Sequence, residues 1–155
     1  MRNLIILIFA IVFMTALIGC EKDNHSENES NISKNYDNKS HKTGNDCMEC
    51  HVKGGTGEGW FSVAGTVYDS LQTTTNPNGL IKLFTSPASP EDLISTIEMD
   101  ALGNFFTTEP INLESGLFVS VFNSSGKSKS MVSPVYSGSC NSCHDGISID
   151  RVWVE

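Results

Sequence analysis

Two five-residue stretches constrain this chain more than anything else in it: Cys47-Met48-Glu49-Cys50-His51 and Cys140-Asn141-Ser142-Cys143-His144. Each presents two thiols at the same spacing and an imidazole directly after the second. Covalent attachment of haem c needs that order, with two thiols to add to the two vinyl groups on one porphyrin edge and a histidine that turns under the ring to the iron. His51 and His144 are then the expected proximal iron ligands, and two covalently bound haem c groups the expected cofactors. The chain between the motifs must form a body that carries an attachment segment at each end.

Other uses of Cys-x-x-Cys stay open at this point, since redox dithiols and zinc sites share the spacing. A single tetrahedral site made by Cys47, Cys50, Cys140 and Cys143 would join both ends of the body, but it leaves the two adjacent histidines unexplained. Two tight disulfides are compatible with an oxidising compartment, yet loops this short staple very little chain.

The fifth cysteine has a different context. Leu4 to Leu17 is an almost unbroken apolar run behind Arg2 and Asn3, short for a membrane span and followed at once by Gly19-Cys20. Residues 1–19 therefore read as a signal peptide. Leu17-Ile18-Gly19-Cys20 resembles the bacterial lipobox, which implies that Cys20 is lipidated and becomes the first residue of a protein anchored in the cell envelope. The anchor would hold it on the periplasmic or outer-surface side of a membrane, since multiple acyl chains bind more firmly than one. An ordinary secretory leader with Cys20 as an incidental thiol is the alternative. From Glu21 to Asp46 the only bulky apolar side chains are Ile32 and Tyr36. Such a segment cannot build a core, so residues 20–46 are expected to be acylated Cys20 followed by a flexible polar tether.

A sixth ligand for either iron is less clearly marked. His41 lies ten residues before His51, enough chain to pass around a haem edge to the opposite face. Met131 lies nine residues before Cys140 and offers a thioether to the second haem, although Met also fills core gaps. His25 is a weaker choice in the tether, Met99 reads as packing within a strand, and Met48 sits too close to its own haem to cross it. The choice matters because bis-His haems generally lie at lower potential than His/Met haems.

Between the motifs the chain alternates strand and turn signals. Phe61 to Tyr68, Leu80 to Phe84, Leu93 to Met99, Phe105 to Thr107 and Leu117 to Phe122 are rich in β-branched and aromatic residues. Asn76-Pro77-Asn78-Gly79, Asp100 to Asn104 and Asn123 to Gly126 punctuate them. No segment sustains a helical period. The expected fold is all-β, a small antiparallel β-sandwich over residues 60–136, flanked by haem attachment segments at 47–59 and 137–155. The order of cues from Phe61 to Phe122, including Ala64-Gly65-Thr66-Val67-Tyr68 and Asp100 and Gly103 before Phe105, resembles the carboxypeptidase regulatory-like, transthyretin-like β-sandwich. That resemblance implies a fold and no activity.

Composition narrows the function. Ten basic and 18 acidic residues give a formal charge of −8, with no basic cluster and no glycine-rich phosphate loop, which argues against nucleic acid and nucleotide partners. Acidic surfaces instead steer basic redox proteins. Paired haem motifs on a β body also resemble the units of multihaem surface cytochromes, which implies electron transfer between extracytoplasmic partners. A small dihaem peroxidase-like enzyme is one alternative, though no distal acid–base set stands out. A haem-free lipoprotein that binds metal or a surface partner is another.

Overall fold

The computed structural model of the chain describes residues 28–87 and 89–155. The leader, Cys20 and His25 lie outside the described residues. Six strands form two antiparallel sheets. In chain order they are β1 (Val63–Thr66), β2 (Leu80–Phe84), β3 (Leu93–Glu98), β4 (Asn104–Thr107), β5 (Phe118–Phe122) and β6 (Ser128–Ser130). The larger sheet has the order β3-β2-β5-β6, and β1 pairs with β4 in the smaller one. Among the described residues there is no α-helix, only 3-10 turns at Cys47–Glu49, Pro90–Asp92 and Cys140–Ser142, and no helix long and apolar enough to cross a membrane.

Side-chain alternation explains why the strands settle in this register. Ile81 and Leu83 of β2 point to one face, and opposite them Val121 and Val119 of β5 point the same way. Lys82 takes the outer face, with its ammonium 4.8 Å from the centre of the Phe122 ring. A one-residue slip would turn Ile81 and Leu83 outward, so the buried face holds the pairing. Phe105 and Val63 from the smaller sheet close over this layer, joined by Ile97, Met99 and Leu117 in one cluster. Met99 is fully buried there, as packing.

The turn into β4 shows local chemistry at work. Asp100 Oδ1 accepts from the backbone N–H of Leu102 and of Asn104, each at 2.9 Å. Gly103 at φ +79° takes the left-handed position that closes the turn.

Two segments outside the strands are built into the body, the first of them against the expectation from sequence. Residues 28–46 are laid along the sandwich, where a free tether is expected. Ser33 N–H donates to the Phe106 carbonyl at 3.0 Å, Phe106 N–H returns to Ser33 Oγ at 2.9 Å, and Ile32 bridges Thr107. The arm thus covers the open edge of β4 with polar groups, satisfying backbone donors without needing an apolar face. The C-terminal tail is the other case. Tyr68 N–H donates to the Val152 carbonyl at 2.8 Å, Val154 N–H donates to the Tyr68 carbonyl at 3.1 Å, and Val154 is 1% exposed within the core cluster.

Candidate functional site

Both Cys-x-x-Cys-His segments fold into the same single 3-10 turn. Cys50 N–H donates to the Cys47 carbonyl at 3.3 Å and His51 N–H to the same carbonyl at 3.0 Å; Cys143 and His144 repeat this onto Cys140 at 3.3 and 2.9 Å. A 3-10 turn has three residues per revolution, so positions i and i+3 eclipse. The two cysteines of each motif therefore stand on one side of the turn with the histidine next to them. Asp46 caps the first turn, its Oδ1 accepting from Met48 N–H at 3.0 Å.

The histidines share a second feature. His51 Nδ1 lies 3.0 Å from the Glu58 carbonyl oxygen and 3.2 Å from that of Gly59. His144 Nδ1 lies 2.6 Å from the Asp150 carbonyl oxygen. A carbonyl only accepts, so Nδ1 is the donor in both rings, and in the neutral imidazole the lone pair then lies on Nε2. Metal-ligating histidines are ordinarily oriented this way. Gly57 makes room for the first arrangement, because a Cβ there would stand 2.6 Å from His51 Nδ1. The His51 ring also stacks on Phe61, with centres 4.2 Å apart, and Phe61 stacks on Phe106.

Each motif faces its own cavity. The first, of about 430 Å³, is lined by Cys47, Cys50, His51, His41, Phe61 and Asp100, among others. The second, of about 360 Å³, has a more apolar wall and is lined by Cys140, Cys143, His144, Met131, Val135 and Trp153, among others. Both volumes fall within the roughly 300–1,000 Å³ of small-molecule and cofactor sites. Charges of both signs line them, Lys39 and Lys42 with Asp37, Glu58 and Asp100 at the first and Lys129 and Arg151 with Asp150 at the second. Such linings suit a group with a large apolar body and charged substituents.

The residues around His41, itself exposed, are bonded to the sandwich. The buried Asn104 amide donates to Ser40 Oγ at 2.8 Å and Thr43 Oγ1 at 2.9 Å, one on each side of His41, and Gly44 N–H donates to Thr66 Oγ1 at 3.0 Å. The His41 and His51 ring centres are 5.9 Å apart. Two imidazoles sharing one metal ion need about 6 Å, from bonds of about 2 Å and roughly 1 Å more from nitrogen to ring centre on each side.

The two turns, remote in sequence, are tied to each other. Ser139 Oγ donates to Asp46 Oδ1 at 2.6 Å, and the Asn141 amide donates to the Asn45 carbonyl at 2.8 Å. Asn141 is only 5% exposed; its Oδ1 accepts from Thr66 N–H at 3.0 Å. The residues between the paired cysteines are expected from sequence to close a loop and nothing more, but Asn141 corrects that, since it is the buried link between both turns and β1. Gly65 matters for the same junction. A Cβ there would meet the Phe105 ring at 2.7 Å and Cys140 Cβ at 2.9 Å. Asp46 and Ser139, each directly before a motif, carry an N-cap signature that sequence reading can recognise; the burial of Asn141 has no local signal.

The first thiol of each motif does not resemble the nucleophile of a dithiol catalyst. Burial, with Cys47, Asp46 and Cys143 adding, pushes the Cys140 thiol up to about 12, and burial with Asp46 also raises Cys47. A nucleophilic thiol needs the opposite shift. All four described cysteines are unpaired, and among the described residues no group of three or more His, Cys, Asp or Glu side chains is gathered to hold a metal ion. The single four-thiolate site considered from sequence is therefore not assembled. Comparison of the chain with family models, curated proteins and solved structures gives no match.

Proposed function

We propose that this chain is a lipid-anchored dihaem c-type cytochrome that carries electrons between extracytoplasmic redox partners and is not itself an enzyme. The observation that carries the reading is the duplicated geometry: two identical turns, each with paired thiols, a histidine whose Nδ1 is held by a carbonyl, and a cavity of cofactor size. Cys47 and Cys50 would hold one haem and Cys140 and Cys143 the other, with His51 and His144 beneath the irons. When bound, the groups supply one-electron exchange between ferric and ferrous iron.

The remaining residues act as scaffold. The sandwich, similar in its cues to the carboxypeptidase regulatory-like fold, sets the two turns side by side through Asn141 and Ser139, which favours exchange between them. Phe61, Phe106 and Trp153 offer apolar cover. The net charge of −8 suits brief encounters with basic partners, and Cys20 would keep the body at a bacterial envelope membrane.

Mass spectrometry and a pyridine haemochrome spectrum, on full-length protein exported from a host with haem-attachment machinery, test this directly. The expected result is two haems per chain bound through thioether bonds. Colourless protein with four free thiols, or with bound zinc, would overturn it.

A further inference from the structure

Although their turns match, the two cavities offer different chemistry opposite the proximal histidine. In the first, His41 stands 5.9 Å from His51, ring centre to ring centre, and the Asn104 amide bonds the hydroxyls of Ser40 and Thr43 on either side of it. Asp100 lines the same cavity at 1% exposure, and its Oδ2 is buried without a hydrogen-bond partner. In the second, His144 is the only histidine among the described lining residues. Met131 is the thioether there, anchored by its N–H donating to the Val119 carbonyl at 2.9 Å and packed half-buried against the core cluster. Lys129, the other donor to consider, holds its ammonium 2.8 Å from the centre of the Trp153 ring.

Resting on the dihaem reading above, we propose that His41 is the sixth ligand at the first site and Met131 the sixth ligand at the second, so that the second site is the more easily reduced. Imidazole is the stronger donor and favours ferric iron, whereas a thioether favours ferrous iron and raises the potential. The surroundings act in the same direction. Asp37, Glu58 and Asp100 outnumber Lys39 and Lys42 in the first lining, which favours the extra positive charge of ferric iron there, whereas Lys129 and Arg151 outnumber Asp150 in the second. The more apolar second cavity disfavours that charge. An electron on the protein therefore rests at the end bearing the C-terminal motif, which makes the chain a directional pair and not two equivalent stores.

The test uses the full exported chain, after haem content has been counted. Fewer than two haems would fail the dihaem reading itself; two haems leave the ligand assignment to be decided by spectra and potentials. Optical potentiometry with dithionite as reductant, each step taking one ferric iron to ferrous with one electron, is expected to resolve two waves separated by more than tenfold in equilibrium constant, or 59 mV. The oxidised protein should show a single sulfur-to-iron charge-transfer band. Met131→Leu should abolish that band and shift only the higher wave. Met131→His should keep the iron low-spin and move the higher wave towards the lower one. His41→Ala should leave the band intact, raise the lower wave and open that iron to carbon monoxide. Two haems with no sulfur band, a band that survives Met131→Leu, or a His41→Ala protein with unchanged waves would each overturn the assignment.

Discussion

The two Cys-x-x-Cys-His turns are nearly identical in backbone and quite different in anchorage. The second is built into the sandwich: Ala64 N–H donates to the Gly138 carbonyl at 2.9 Å, Ser139 bridges Ala64 in parallel, and Asn141 is bonded to Thr66. The first sits on a polar arm, meets the sandwich directly where Phe61 N–H donates to the His51 carbonyl at 2.9 Å, and is bonded to the second through Ser139 to Asp46 and Asn141 to Asn45. Local sequence thus makes the turn, while long-range polar contacts decide where it stands. A hierarchy follows in which damage to the second turn reaches the first, and damage to the first stays local.

The sharpest way to break this hierarchy uses equivalent positions in the motifs, Asn141 and Met48, each directly after the first cysteine. Asn141→Ala removes an acceptor for Thr66 N–H and a donor to the Asn45 carbonyl, and leaves both groups without their partners. The expected loss is about 2–3 kcal/mol, since buried unpaired polar groups cost roughly 1–3 kcal/mol each. Met48→Ala should cost less than about 1 kcal/mol, because Met48 is only partly buried. Urea unfolding of both variants measures the two values. Equal losses would mean that the second turn does not organise the first.

The same contrast explains what was legible in the sequence. Leu80–Phe84 and Phe118–Phe122 could be read as strands because they are short runs of β-branched, aromatic and other apolar residues bounded by turn signals. β6, Ser-Lys-Ser and exposed throughout, carries no such run; it exists because its backbone completes the edge of β5. Residues 28–46 look like a tether for a related reason. Their hold on the body consists of backbone and small polar groups, such as Ser33 on Phe106, that leave no apolar pattern. Val154 reaches the core from a tail with too few residues to show any period. Within the site, the two motifs and the candidate partners His41 and Met131 were visible by residue type and spacing, but the contact between residues 45–46 and 139–141 depends on the folded topology and had no local sign.

In haem-free protein the thiols offer a second comparison. Burial holds Cys140 protonated up to about 12, whereas Cys143 on the same turn is exposed. In haem-free protein, iodoacetamide should modify Cys143 first and Cys140 last. The linkage has a definite sign: a thiol whose folded value is raised from the ordinary 9.0 favours the folded state below that pH, and the advantage is lost as pH climbs from 9.0 towards about 12. Haem-free protein should therefore lose stability over that window. The loaded protein, with its sulfur in a thioether, should lack this contribution. Thermal unfolding of the two forms from pH 8 to pH 11 measures the difference, and parallel curves would remove Cys140 from the account.

The smallest expected effect isolates the junction between the turns. Ser139 and Ser142 both make hydroxyl bonds of 2.6 Å, but Ser139 reaches Asp46 on the other attachment segment, while Ser142 bonds the Ser139 carbonyl within its own turn. Both side chains are small and neither belongs to the core, so truncation creates no cavity to confuse the comparison. Ser139→Ala should cost about 1 kcal/mol and quicken amide exchange in residues 45–51, because the cap on the first turn loses the partner that orients it. Ser142→Ala should stay within about 0.5 kcal/mol and leave that exchange unchanged. If the two variants behave alike, the two motif segments are neighbours without being coupled, and the first turn is held by the polar arm and by its bond to Phe61.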